Sequence, residues 1–362
     1  TDDVLIRLSE SFRVDEAGEY DEEIYRVNLA LAEAMIRRET VAIEAVDESR
    51  LNVDLDKNGT LNIATEVVYD WAPLEGREMA WVGRARTEQL AGEQPMSAGL
   101  LPYQTEFLHT VRYIETGNDD IRLSPRLKEL RYARKTGWRN YGQLEAQVAA
   151  EEKEKHDFPD RLRTLWGDME YGLSNNQGWI YQGFIEDAVG DLRPQTYEET
   201  VFCMGCHGGM GATTDGVFAF PRKLDSDTFQ SGWYHWTQKS IEGQPEPKRA
   251  DGNYEYTHYL THNGAGDEFR ANTEVMERFF NADGSLKQEK VTELHNDISV
   301  LLYPSVERAR QLNKAYRLIV MDQDFVEGRD AIITPPQNVH TSVEDGEPTG
   351  VEEIIEGPQY RP

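Results

Sequence analysis

Cysteine is nearly missing from this chain, with two in 362 residues. That excludes a disulfide framework, which in small stapled folds takes four or more. Basic residues are also in short supply: 38 Lys and Arg stand against 66 Asp and Glu, a net charge of −28. A surface this acidic repels polyanions, which argues against nucleic acid and against anionic lipid surfaces. It suits a basic docking partner, or a salty milieu that screens self-repulsion. The spread of the acid along the chain favours the salty milieu. Long apolar runs are lacking too. "NLALAEAMI", "ISVLLY" and "YRLIVM" fall far short of the roughly 20 residues that a membrane span needs. Aromatics, by contrast, are plentiful: 7 Trp, 17 Tyr and 12 Phe supply a packed core and exclude a disordered chain. The opening "TDDVLIRL" has neither a basic n-region nor an apolar h-region, so it reads as a processed chain whose signal peptide is gone.

Periodicity along the chain reads mainly as helix. Ile24, Val27, Leu31 and Met35 recur at helical spacing after Asp21, a capping residue, and predict a helix into the mid-forties. "LNVDLDKNGTLNIATEVVYDW" predicts turns followed by a strand from Val67 to Tyr69. "LLPYQTEFLHTVRYIETGN" reads as a second helix ending near Gly117, and "SPRLKELRYARKTG" as a third, with Ser124 as cap and Pro125 at its first position. "QVAAEEKEKHDFPDR" closes another helix. "PSVERARQLNKAYRLIVMDQ" predicts a final amphipathic helix capped by Ser305, with Val306, Leu312, Tyr316, Ile319 and Val320 inward. Three regions follow: a helical region over 1–155, a second over 156–333, and an acidic, Pro/Gly-rich extended tail over 334–362.

Both cysteines sit in "VFCMGCHGGMG". Cys203, Cys206 and His207 form C-x-x-C-H, the attachment signature for c-type haem. Two thiols one helical turn apart reach the two vinyl groups of a porphyrin, and the next histidine turns a ring nitrogen to the iron. A thioredoxin-like pair needs a βαβ context, a zinc site needs four ligands, and a disulfide across three residues is strained. On these residues the sequence resembles the c-type cytochromes. The resemblance is specific for five residues and diffuse over roughly 180 to 330.

It implies a mainly α fold: a cytochrome c-like helical haem domain preceded by a helical N-terminal region with a little β. It also implies one covalent haem c, a periplasmic, cell-surface or secreted location, and a redox partner protein. The implied function is transport of single electrons. The alternatives are a haem enzyme of peroxidase or oxidase type with an open distal face, and a haem-bearing accessory subunit of a larger redox complex. For the sixth iron ligand His235 leads, between Trp233 and Trp236; His258, His262, His295, Met276 and an open iron are the alternatives, and Met210 is too near His207.

A second site lies at Asp54–Asn62. Asp54, Asp56, Asn58, Thr60 and Asn62 place oxygen donors at alternate positions around Gly59, the pattern of a calcium loop. It resembles an EF-hand loop with one departure, since position twelve is Thr65 and Glu66 comes one residue late. Missing donors then come from water, Glu66 or Asp70. Finally, Arg122, Arg126, Lys128, Arg131, Arg134, Lys135 and Arg139 form a basic island beside one acid, Glu129. Its cations pair with neighbouring acids, or with haem propionates or an acidic surface.

Overall fold

The computed structural model of the chain describes residues 3–117, 120–158, 165–207, 215–217, 232–235, 242–246, 248, 252–267, 270–271 and 273–325. The expected tail lies outside them. Strand β1 (Val4–Arg7) leads into helix α1 (Glu22–Arg37), which starts on the predicted cap: the Asp21 carboxylate accepts the Ile24 N–H at 3.0 Å. Ile24, Val27, Leu31 and Met35 are all buried. The helix ends sooner than periodicity predicts, because Arg38 turns left-handed (φ 58°) and its N–H returns to the Ala34 carbonyl. Strand β2 (Val41–Asp47), the one-turn helix α2 (Glu48–Leu51) and strand β3 (Ile63–Val67) follow, then helix α3 (Arg84–Leu90).

Two long strands come next, β4 (Glu106–Gly117) and β5 (Asp120–Lys135), paired antiparallel along their length. These are the two segments read above as helices. Beyond them lie helix α4 (Tyr141–Asp157), strands β6 (Trp166–Asp168), β7 (Gly172–Ser174), β8 (Trp179–Glu186) and β9 (Leu192–Pro194), and helix α5 (Tyr197–His207). The two-residue strand β10 (Tyr234–His235), helix α6 (Glu255–Asn263) and strands β11 (Gly266–Asp267) and β12 (Arg270–Ala271) lead to helices α7 (Thr273–Phe279), α8 (Gln288–Asn296), α9 (Ser299–Leu302) and α10 (Val306–Asp322).

The expected mainly α fold is therefore corrected to a mixed one, 37% helix and 27% strand among the described residues. Its frame is an antiparallel sheet of eight strands, seven in the order β10-β1-β4-β5-β8-β7-β6 and β9 beside β8. The misreading has a physical cause. Leu123, Leu127 and Leu130 recur at four and three residues and so imitate a helix, but the ladder shifts register between Val111 and Ile114. Bulges of this kind break the two-residue alternation that marks a strand. Pro125 falls opposite this irregularity, where no ladder N–H is required.

Strands from both sides of residue 155 share the one sheet: β5 pairs with β8, and β1 with β10. Helix α1 packs into the main core with Phe12, Trp81, Leu101, Trp179 and Tyr234. Helix α10 starts on its predicted cap, Ser305 Oγ accepting the Arg308 N–H at 3.1 Å, and of its five predicted inward residues Tyr316, Ile319 and Val320 are buried while Val306 and Leu312 are half-buried. It lies over β4 and β5, where Tyr113 meets Tyr316 edge-on at 5.6 Å. A third small core joins α6 to α9 through Leu260, Val275, Phe279, Leu294 and Ile298.

Candidate functional site

The loop between α2 and β3 is built by its own polar side chains. Asp54 Oδ2 accepts the Gly59 N–H at 2.9 Å, Asp56 Oδ1 that of Asn58 at 3.1 Å, and Asn58 Oδ1 that of Thr60 at 2.8 Å. Asn62 donates its amide to Thr60 Oγ1 at 2.7 Å. Gly59 has φ 83°, the left-handed turn that the spacing requires at the sixth position. All five predicted donors thus ring one loop.

Sequence reasoning missed the residue that closes this ring. Glu48, fully buried at the start of α2, accepts the N–H of Leu55 at 2.5 Å and of Asp56 at 3.2 Å on Oε1. Its Oε2 accepts the Asn62 N–H at 3.1 Å. One carboxylate oxygen from each of Glu48, Asp54 and Asp56 falls within 4.8 Å of the others. Three anions this close repel one another by a few kcal/mol at a protein surface. Asp54 Oδ1 is shielded from solvent and has no hydrogen-bond donor among the described residues, a state that is costly for a carboxylate oxygen unless a cation meets it. Glu66 instead stands exposed on β3 opposite Ala42, and Asp70 pairs with Arg77. The cue for Glu48 was an acid six residues before the loop, too far upstream for the loop pattern to include.

Helix α5 carries the C-x-x-C-H run. Its start is capped by Thr196, whose Oγ1 accepts the Glu199 N–H at 3.2 Å while Glu199 Oε2 accepts the Thr196 N–H at 2.8 Å. Arg193 clamps Glu199 with two bonds of 2.8 Å. Cys203 and Cys206 lie one turn apart near the end of α5, which closes on His207; the side chains of these three, and residues 208–214, lie outside the described residues. Met204 between the cysteines is buried in the main core.

The proposed sixth ligands lie on four elements, β10, α6, α7 and α8. His235 lies on the edge strand β10 opposite Leu5, its side chain outside the described residues, and neighbouring Trp233 carries the Arg7 guanidinium over its ring at 4.6 Å. His258 and His262 share one side of α6, ring centroids 4.1 Å apart. His295 stacks on Tyr254 at 3.6 Å. Met276 is 45% exposed on α7, and Met210 falls outside the described residues.

The basic island lies along strand β5, on both of its faces, with Arg139 beyond its end, and not along a helix. Arg122 pairs with Glu115 at 2.7 Å, Arg131 with Glu129 at 2.9 Å, and Arg126 with the buried Glu186. Lys128 sits over the rings of Tyr113 and Tyr316 at 5.0 and 4.6 Å. Lys135 is buried against Asp215 at 2.5 Å. Acids and rings on adjoining strands and on α10 thus absorb much of its charge.

Fold and loop define an α/β chain built on one antiparallel sheet, with an acidic oxygen-donor loop beside its N-terminal helix. The chain belongs to a lipoprotein family, whose model matches residues 1–296. It is similar to an uncharacterized lipoprotein of Aquifex aeolicus (strain VF5), 30% identical over 391 aligned positions. That match takes in 97% of this chain, which spans 62% of the relative's length. No solved structure matches the chain.

Membership of this family overturns the cytochrome resemblance. With it go the one-electron carrier function and both alternatives, the haem enzyme and the haem-bearing accessory subunit. The physical reason is the narrowness of the signal: five residues meet the stereochemistry of a thioether attachment without specifying any fold around it. The family also makes the chain an exported, membrane-anchored or surface protein. Among the described residues no helix is long and apolar enough to cross a membrane.

Proposed function

We propose that this lipoprotein works outside the cytoplasm, in the periplasm or at the cell surface, as a binding module whose N-terminal half is locked by one calcium ion. The observation behind this reading is the convergence of one carboxylate oxygen each from Glu48, Asp54 and Asp56, together with a buried Asp54 Oδ1 that has no donor among the described residues. Asn58, the Thr60 carbonyl and Asn62 are the further oxygen donors, and calcium accepts six to eight at about 2.3–2.6 Å. Extracellular calcium modules bind in the range of about 10⁻⁴ to 10⁻³ M, matched to free calcium outside cells. The ion joins α2 to β3, next to the helix that fills the main core. The −28 charge suits a partner with a basic docking face. Calorimetric titration of chelator-treated protein with calcium tests the reading: one site of that affinity supports it, and a flat titration with unchanged melting overturns it.

A covalent haem is a separate cofactor proposal, independent of any cytochrome family. Its support is the one-turn separation of Cys203 and Cys206 on α5 with His207 next in line. These residues would hold the group through two thioethers and one imidazole. Extraction in acidified acetone decides it: pigment that stays with the polypeptide supports the proposal, and colourless protein overturns it.

A further inference from the structure

The geometry points to an intramolecular amide cross-link between the Lys135 side-chain nitrogen and the Asp215 side-chain carboxyl. Lys135 is the last residue of β5 and Asp215 lies 80 residues further on, beyond the C-x-x-C-H run. Their side chains are 1% and 4% exposed, with Nζ and Oδ2 2.5 Å apart. Leu101 holds both groups. Its carbonyl accepts Lys135 Nζ at 2.8 Å and its N–H donates to Asp215 Oδ2 at 2.8 Å. The Trp179 ring lies 5.6 Å from Nζ and shields it.

A buried ion pair returns little, because the loss of hydration consumes most of its attraction. Burial pushes the Lys135 amine below its usual range and the Asp215 carboxyl above its own. Each is thereby driven toward its neutral form. A neutral amine has the lone pair that an ammonium lacks, and a neutral carboxylic acid is a better electrophile than a carboxylate.

In the condensation the Nζ lone pair attacks Cγ and the Cγ–Oδ1 bond breaks. One amine proton leaves with that hydroxyl group as water, and no other reactant is consumed. Both Leu101 bonds survive the change: the new amide N–H still donates to the Leu101 carbonyl, and the remaining Oδ2 still accepts the Leu101 N–H. Fixed apposition away from bulk water supplies the effective concentration that free amines and acids lack.

The backbone around Asp215 is held for the same outcome. Asp215 itself is left-handed (φ 51°), and Gly216 (φ 79°) is wedged where any Cβ would meet the Asn175 amide and the Tyr181 hydroxyl at 2.9 Å. Tyr181 donates to the Gly216 carbonyl. The cross-link therefore straps the segment after the C-x-x-C-H run to the middle of the sheet.

Peptide mapping of the denatured full-length chain tests this. Residues 135 and 215 should be recovered in one branched peptide, one water lighter than the two separate peptides together. Lys135 should resist an amine-acylating reagent in denaturant while the other lysines react. Lys135→Arg and Asp215→Ala should each abolish the branched peptide. Two separate peptides with Lys135 fully acylated overturn the proposal and leave an ion pair. The unsubstituted protein decides the matter, so a poorly folding variant does not obscure it.

Discussion

Glu48 and Asn62 are joined twice: the Glu48 N–H donates to the Asn62 carbonyl at 2.9 Å, and the Asn62 N–H donates to Glu48 Oε2 at 3.1 Å. Through this pair a helix outside the acidic loop holds the loop's far end. Removing the carboxylate by Glu48→Ala orphans three backbone N–H groups and deletes one candidate calcium oxygen. We expect a loss of about 2–4 kcal/mol and a melting temperature that no longer responds to calcium. Thermal melts with excess calcium and with chelator measure both, and a variant that still gains stability from calcium excludes Glu48 from the site.

Asp54→Asn keeps the bond to the Gly59 N–H, because the amide oxygen can still accept, but it removes a negative charge from the cluster. Without calcium the variant should match or exceed the parent's stability, since repulsion with Glu48 and Asp56 falls. With calcium it should lag behind. This crossing of the two orders separates a cation site from an Asn-Gly turn, for which the order is the same with and without calcium.

The parts of the fold that were legible are those where local chemistry and tertiary packing agree. The Asp21 and Ser305 caps, the inward faces of α1 and α10, and the left-handed Gly59 all rest on side chains acting within one or two turns of their own backbone. The β4–β5 hairpin was not legible, because its pairing is decided by partners elsewhere in the chain: β1 on one side and β8 on the other. Five loop donors could be read from spacing, whereas Glu48 could not, since its contribution depends on the fold turning α2 back over the loop. The C-x-x-C-H run was overread as a family signature when it carries only local stereochemistry.

Gly172 begins β7 with φ 87°, and a Cβ there would collide with the Tyr181 carbonyl and meet Ile180 Cγ2 at 2.9 Å. Gly172→Ala therefore adds backbone strain of about 1–3 kcal/mol and pushes β7 off β8. Hydrogen exchange should show faster exchange of the β7 amides with protection of α1 unchanged. Equal exchange at β7 in both proteins contradicts the close approach.

Ser305 serves two partners. Its Oγ caps α10 through the Arg308 N–H, and its N–H and hydroxyl both reach Glu274 on α7, at 2.9 and 2.8 Å. Ser305→Ala removes the cap and one of the Glu274 bonds, a loss of about 1–2 kcal/mol. Ser305→Asp keeps the cap but sets a carboxylate against Glu274, so it should recover less than a cap exchange elsewhere does. Urea unfolding of the three proteins ranks them, and an aspartate variant as stable as the parent removes Glu274 from the argument.

Asp21 carries the clearest pH dependence. Arg50 pairs with its carboxylate at 2.7 Å, and the Ile24 N–H donates to the same group. These contacts, the Arg50 hydrogen bond foremost, hold the carboxyl below the usual aspartate range, while partial burial opposes them. A carboxyl whose folded pKa is depressed gives stability that is present in full above its unfolded value, about 3.9, and is lost as pH falls through the folded value. Asp21→Asn retains an oxygen for the cap, since Asn and Asp are comparable there, but gives up the charge that faces Arg50. The variant should thus be less stable than the parent at pH 7, and the difference should shrink as the pH is lowered below 4. Denaturant midpoints measured across that range show it; a difference that stays constant with pH means that the Arg50 contact adds nothing to the cap.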